Sequence, residues 1–382
     1  MRQMTTVSPT SPAPAATLLG RIASALPRLR KDQVAYPLGY LASLDGCRGL
    51  MTLGVLLAHT RMALFSGAMI YMDIFFVMSG YLITSLLIAD QSKHGMISLR
   101  KFYVRRLLRL YPALTVMLCC FLLVCWFFSK DFQARLTEAG VTFLYFLDYW
   151  QAFGFGGGVY MGHTWSLAVE EQFYLLWPLT FILLLRLFGL SRKTAATIFA
   201  MAAAFAVWRI HLTYTGANLS RLYNSFDTRA DALLVGCGLA VVLKLVDLHD
   251  YPRLSRFLAG SLAPLACFEI AMGFTMDWTH HWYYYVSPLF GTIPGAIGIA
   301  ALVQPSRTFM HRIYEHPVPV YCGRICYGLY IWHFPIFVWI AEMAPPHRRY
   351  ILTFLVGWPL TFAVATASYF LIERRFMRSR PV

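Results

Sequence analysis

Charge is what this chain most lacks. Of 382 residues, 13% are Asp, Glu, Lys or Arg and only 18 are acidic, whereas a water-soluble domain carries about 25% charged residues. That deficit excludes an ordinary soluble enzyme. Cysteine is present eight times, but no CxxC pair and no Cys/His metal spacing occurs, so no metal site is expected. Cys47, Cys119, Cys120, Cys125, Cys237, Cys267, Cys322 and Cys326 fall almost entirely in apolar runs and read as small packing residues. No apolar stretch long enough for a signal peptide precedes the Arg28–Lys31 cluster. Residues 1–40, rich in Ser, Thr, Pro and Ala, therefore read as a retained, disordered cytoplasmic tail. Internal repeats are also missing.

What remains is apolar: 58% of residues are hydrophobic and mean hydropathy is +0.55. Apolar stretches run over 49–67, 69–89, 110–128, 139–150, 166–187, 194–214, 229–247, 258–276, 286–304, 322–342 and 350–371. The 139–150 stretch is too short to cross about 30 Å of hydrocarbon as a helix, so it is expected to be re-entrant or interfacial, together with Gly154–Gly158. About ten spans of roughly 20 residues remain. The expected fold is an all-α polytopic membrane helix bundle with both termini cytoplasmic. Net charge is +15; in a soluble protein that would point to nucleic acid, but here it records topology. Most basic residues then face the cytoplasm, leaving Arg61, Lys130, Arg135, Arg209, Arg221, Arg229, Arg348 and Arg349 elsewhere, as the positive-inside rule requires. No nucleic-acid partner is expected.

Ionisable side chains at bilayer depth cost a few kcal/mol each, so those that occur are functional candidates. His59 is expected near the middle of the first span, eleven residues after Arg48. At about 100° and 1.5 Å per residue, both point the same way, about 16 Å apart along the axis. One face thus carries an anion-binding cation at the cytoplasmic mouth and a titratable base deeper in. Asp73, at similar depth on the second span, is the expected partner orienting His59. The plainer readings are a core histidine and a carboxylate that meets water at the outer mouth.

In the basic run Arg100–Arg109, Arg105, Arg106 and Arg109 suit a phosphate-bearing ligand, and Arg106 and Arg109 share a face if the run is helical. Topogenic charge or lipid headgroup contact explains the run equally well. In the block Trp165–Pro178, Glu170 and Glu171 point about 100° apart, so at most one is expected to face a shared cavity. Trp165 and Tyr174 either stack on a sugar face or belong to an interfacial aromatic belt. Arg229 and Asp231 read as an ion pair with each other. His333 sits at mid-span and is open between helix packing and the site. These last three, with Trp165 and Tyr174, are the candidate substrate-binding residues.

Cations inside, a histidine at mid-depth, and carboxylates and aromatics toward the outside suit group transfer from a cytoplasmic phosphate-bearing donor. The alternative is a proton-coupled transporter or flippase of a glycolipid or small metabolite, which uses similar relays. Inverted repeats and paired broken helices, common in transporters, are not seen. A multi-span sensor or scaffold would leave the clustered buried charges without a purpose.

Leu44-Asp45-Gly46-Cys47-Arg48-Gly49 with His59, then Asp73–Thr84, resembles the opening of the membrane acyltransferase-3 family. The similarity continues in order through Arg105–Arg109 with Tyr111-Pro112, Trp165–Pro178, Arg229–Gly236, Tyr327–Pro335 and Glu373, over residues 40–376. The resemblance implies a ten-helix bacterial inner-membrane enzyme moving an acyl group, commonly acetyl, from acyl-CoA to a sugar hydroxyl. Members modify lipopolysaccharide O-antigen, exopolysaccharide, peptidoglycan, Nod factors or macrolide sugars. The family's Arg and His fall on Arg48 and His59, its RxxR motif on Arg106 and Arg109, and its carboxylate on Glu170–Glu171. Cys47 stands where Leu is usual, and Arg374-Arg375 where a Pro is usual. The appended SGNH-type domain of some members is not expected. The expected organisation is a tail at 1–40, an acyltransferase membrane domain at 41–376 and a basic cytoplasmic tail at 377–382. Expected catalytic residues are His59, Asp73, Glu170 and Glu171; Arg48, Arg105, Arg106 and Arg109 would hold the acyl-CoA donor, commonly acetyl-CoA. The other partners are a sugar-containing acceptor and the lipid bilayer.

Overall fold

The computed structural model describes residues 41–60, 67 and 69–378. The expected tail at 1–40, Arg61 and the last residues of the basic tail lie outside the described residues. Helices α1, Ala42–His59, and α2, Met69–His94, form the first hairpin. They are followed by α3, Leu99–Phe128, and two short helices, α4, Phe132–Phe143, and α5, Leu147–Ala152. One 3-10 turn leads into α6, Trp165–Phe188, then α7, Arg192–Tyr214, α8, Leu219–Asn224, and α9, Phe226–Leu245. The remainder is α10, Pro252–Thr275, α11, His281–Val303, α12, Phe309–Tyr314, α13, Pro317–Arg324, α14, Cys326–Met343, and α15, Pro346–Met377. No strand occurs among the described residues. Helix is what hydrocarbon demands, because each backbone N–H and C=O must be satisfied within its own segment.

A helix covers or overlaps each of the ten expected stretches. Seven of the helices are long and apolar enough to cross a bilayer, or eight if α13 and α14, which meet at 74°, count as one. The other two carry their own polarity: Asp45, Arg48 and His59 in α1, and Asp227, Arg229, Asp231 and Lys244 in α9. The 139–150 stretch is split between α4 and α5. Tyr145, at φ 54°, turns the chain between them.

The bundle has a centre and a rim. The most apolar window of α2 is 72% buried, against 22% for α7 and 17% for α10. Glycine permits the closest crossings. A methyl group on Gly80 of α2 would overlap the Leu233 carbonyl of α9, and one on Gly236 of α9 the Val77 carbonyl of α2. Gly49 of α1 and Gly323 of α13 are related in the same way, through Pro319 and Asp45. Without a hydrophobic drive between helices in lipid, such backbone-to-backbone packing is a main source of association. It brings α1, α2, α9 and α14 close enough for their polar residues to meet.

Candidate active site

A cavity of about 420 Å³ opens between α1, α2, α3, α6 and α14. Met72, Phe75, Met78 and Leu82 give it an apolar wall, while Arg48, Arg106, Arg109, Glu170 and Glu171 line the rest. Ser98 caps α3 by accepting from the Lys101 N–H, so the helix begins well before the apolar stretch and carries both arginines one turn apart on one face. Arg105 is exposed and does not line the cavity.

The cavity cations differ in their partners. Arg48 pairs with Asp45. Arg106 lies 3.8 Å from Glu171 and 3.5 Å above the Tyr174 ring. Arg109 makes no ion pair and no hydrogen bond among the described residues, and Arg48 and Arg106 act on it as like charges. Both carboxylates of the adjacent pair line this space, against the expectation of one at most. The cavity lies between two neighbours of α6. Glu170 turns to α2, where Ser79 Oγ donates to it at 2.6 Å, and Glu171 turns to Arg106 on α3. Tyr174 is buried and lines the cavity, and the Arg106 guanidinium lies over its ring in cation–π contact.

His59 is the last residue of α1, not its midpoint, because the helix begins at Ala42. Its Nδ1 lies 2.9 Å from His333 Nε2. The network fixes the tautomers. His333 Nδ1 is 2.7 Å from the Tyr330 carbonyl and 3.1 Å from that of Leu329. Carbonyls only accept, so this nitrogen carries the proton. In the neutral ring Nε2 of His333 is then an acceptor, and His59 Nδ1 donates to it. The basic lone pair of His59 is thereby placed on Nε2. Phe334 packs edge-on against His59 at 4.9 Å and face-on against His163 at the same distance.

Asp73 does not meet His59. Its carboxylate lies 2.6 Å from Arg229 Nη2 and receives the Tyr283 hydroxyl at 3.0 Å. Arg229 and Asp231 do not pair with each other either. Two residues apart on one helix, they point about 200° apart. Asp231 instead meets Arg209 of α7 at 2.8 Å. All four side chains are buried, and Trp165 packs with Phe76 and Tyr223 around the Arg229 guanidinium. Asp73 of α2, Trp165 of α6, and Arg229 and Asp231 of α9 therefore tie these helices, and α7 through Arg209, together outside the cavity, and His333 is a neighbour of His59 in the ring cluster.

A second polar cluster secures the segment before α6. Glu138 of α4 accepts the N–H groups of Tyr160 and Met161 at 2.8 and 2.7 Å and pairs with Arg135 at 2.7 Å. Asp148 of α5 accepts from Gln172 at 3.0 Å, and burial pushes its carboxyl up to about 7. Arg209 and His163 escaped the sequence reading. Arg209 is a lone cation within an apolar run, which is itself a signal of a buried counter-ion; His163 carries no signal beyond its place at the head of the Trp165 block. Among the described residues, no group of three or more His, Cys, Asp or Glu side chains is placed to hold a metal ion.

A family model described as an acyltransferase domain matches residues 41–374. The chain is 32% identical over 355 residues to the peptidoglycan O-acetyltransferase OatA of Listeria monocytogenes, covering 90% of this chain and 57% of that protein. It is 30% identical over 352 residues to the O-acetyltransferase OatA of Staphylococcus aureus, covering 87% of this chain and 57% of that protein. The chain thus spans a little under three fifths of the length of each. No solved structure matches it.

Proposed function

The chain belongs to the acyltransferase family whose domain model covers most of its length, and from that premise we propose that it is an integral-membrane O-acyltransferase of the bacterial inner membrane. It moves an acyl group, acetyl by the names of its relatives, from cytoplasmic acyl-CoA to a sugar hydroxyl of a surface or exported glycan or a glycosylated metabolite. Residues 41–376 are the transferase unit in this reading.

The observation that carries the reading is Arg109. A guanidinium that lines a cavity with no ion pair or hydrogen bond among the described residues, beside two further arginines, is matched by an anion with several charges. CoA phosphates supply one. Arg106 is partly neutralised by Glu171 and Arg48 by Asp45, which leaves Arg109 the strongest attractor. The apolar wall of Met72, Phe75 and Met78 suits the pantetheine arm. Thr52 of α1 also lines the cavity, seven residues before His59, so the arm would run along α1 toward the histidines over about 10 Å.

His59 Nε2 accepts the proton of the acceptor hydroxyl as that oxygen attacks the thioester carbonyl. The C–S bond then breaks, and the CoA thiolate recovers the proton from His59. During the proton's stay the ring is positive at the C-terminal end of α1, where the helix dipole favours a cation. General-base help of this kind contributes about 10²- to 10⁴-fold.

The test is to incubate membranes holding wild type or His59→Ala protein with labelled acetyl-CoA and follow label into CoA, protein and glycan by mass spectrometry. Transfer by wild type and its loss in an inserted His59→Ala protein is the expected result. Full transfer by His59→Ala protein would remove the base, and no binding of any acyl-CoA by wild type would favour transport of an unmodified cargo.

A further inference from the structure

His163 is fixed in place by everything except hydrogen bonds from its own ring. Its carbonyl accepts the Tyr330 hydroxyl at 2.7 Å, and the Ser166 hydroxyl lies 2.6 Å from that same Tyr330 oxygen. The segment leading to it is held by Glu138 through Tyr160 and Met161, and Gln151 donates to the Gly162 carbonyl at 3.2 Å. The imidazole itself is 3% exposed, and neither ring nitrogen has a hydrogen-bond partner among the described residues. The Tyr330 and Ile331 carbonyls lie nearby without hydrogen-bond geometry. A buried donor and a buried acceptor left unfilled are costly.

Three rings set the orientation of this unfilled imidazole. It stacks on Phe334 at 4.9 Å, meets His333 edge-on at 5.0 Å and lies against Tyr330 at 5.1 Å. Phe334 and His333 also pack on His59. His163 is therefore a neighbour of the base, yet it does not line the arginine cavity, from which Ser166 and Tyr330 separate it. A group for the donor would face that cavity. One placed beyond it, beside the base and at the end of the tethered segment, is suited to the other substrate.

We propose that His163 binds the acceptor: a sugar hydroxyl hydrogen-bonds to its imidazole, which holds the reacting sugar beside His59. The assignment rests on the transferase reading above and adds to it the residue that receives a polyhydroxylated ligand. A neutral imidazole offers one N–H donor and one bare nitrogen, so it can serve two hydroxyls of one sugar. His163 touches the acceptor and takes no proton from it; His59 does that.

The experiment measures binding of two probes to purified wild type, His163→Ala and His163→Asn protein. They are CoA, and the disaccharide of N-acetylglucosamine and N-acetylmuramic acid. The expected result is disaccharide affinity at least tenfold weaker in His163→Ala, partial recovery in His163→Asn, and CoA affinity within twofold of wild type in both. Retained CoA binding certifies the fold of the variants. Disaccharide binding equal in wild type and His163→Ala overturns the assignment, as does a parallel loss of both ligands that Asn does not rescue. Failure of wild type to bind CoA sinks the donor reading instead, and the disaccharide arm still decides His163. Failure of wild type to bind the disaccharide sinks the glycan-acceptor reading and this assignment with it.

Discussion

The imidazole of His59 is held by another imidazole: its Nδ1 sits 2.9 Å from Nε2 of His333, whose own N–H is committed to the carbonyls of Tyr330 and Leu329. A chain of carbonyl, ring and ring does here what a carboxylate does in many hydrolytic triads. It selects the tautomer of His59 and keeps its ring from rotating.

We therefore expect His333→Phe to lower kcat by about 10²-fold with little change in donor KM, because the ring of His59 is left unguided. His59→Ala should cost more, and the double variant should be no worse than His59→Ala alone. Single-turnover rates on the three proteins check this. Losses that multiply would mean that the two rings act separately.

For the cations, Arg109→Ala is expected to raise acyl-CoA KM by about tenfold or more, the worth of a hydrogen bond to a charged group. Arg106→Ala should do less, since Glu171 already competes for that guanidinium. Arg105→Ala should leave KM unchanged, since Arg105 is exposed and outside the cavity. Steady-state kinetics at varied donor settles the order. Equal effects at all three positions would assign the run to membrane surface charge.

Asp73 and Arg229 are expected to matter for stability. Removing either partner of a buried ion pair costs about 3–5 kcal/mol, whereas replacing both by apolar residues of similar size is often tolerated. Asp73→Ala or Arg229→Ala should thus lower Tm sharply in detergent, and Asp73→Leu with Arg229→Met should recover most of it. An Asp73→Ala protein of normal Tm that had lost transfer would return Asp73 to the chemistry.

Asp148 gives a pH dependence. Burial raises its carboxyl to about 7 in the folded chain, against about 3.9 unfolded. Between these values the folded form holds a proton that the unfolded form has lost, so stability falls as pH rises through this window, and the penalty is complete above about 7. Asp148→Asn keeps an amide oxygen for Gln172 and has no such proton. Its Tm advantage over wild type should grow from pH 4 to pH 8; a difference that stays flat would show that Asp148 is ionised in the folded protein throughout.

The membrane bundle, the short 139–150 element and the cavity arginines were legible because each rests on local pattern: run length, charge scarcity, and i,i+3 spacing on one helix. Partner choice was not. Asp73 was matched to His59 by counting residues from the hairpin turn, yet α1 starts at Ala42 and ends at His59, which shifts the register of that count. Asp231 was matched to Arg229 by proximity in sequence, though helical geometry turns the two apart and Arg209 lies across the interface. Glu170 and Glu171 both reach the cavity since α6 packs between α2 and α3. Tertiary neighbours decided each case, and no single helix carries that information.

The ion pairs of α9 also bear on how the chain is made. Synthesised alone, α9 would place Arg229 and Asp231 in lipid at a cost of a few kcal/mol apiece. Their counter-ions, Asp73 of α2 and Arg209 of α7, both precede α9 in the chain. Both counter-charges of α9 are thus supplied by helices earlier in the sequence, and a chain stripped of α2 or α7 is expected to insert α9 poorly.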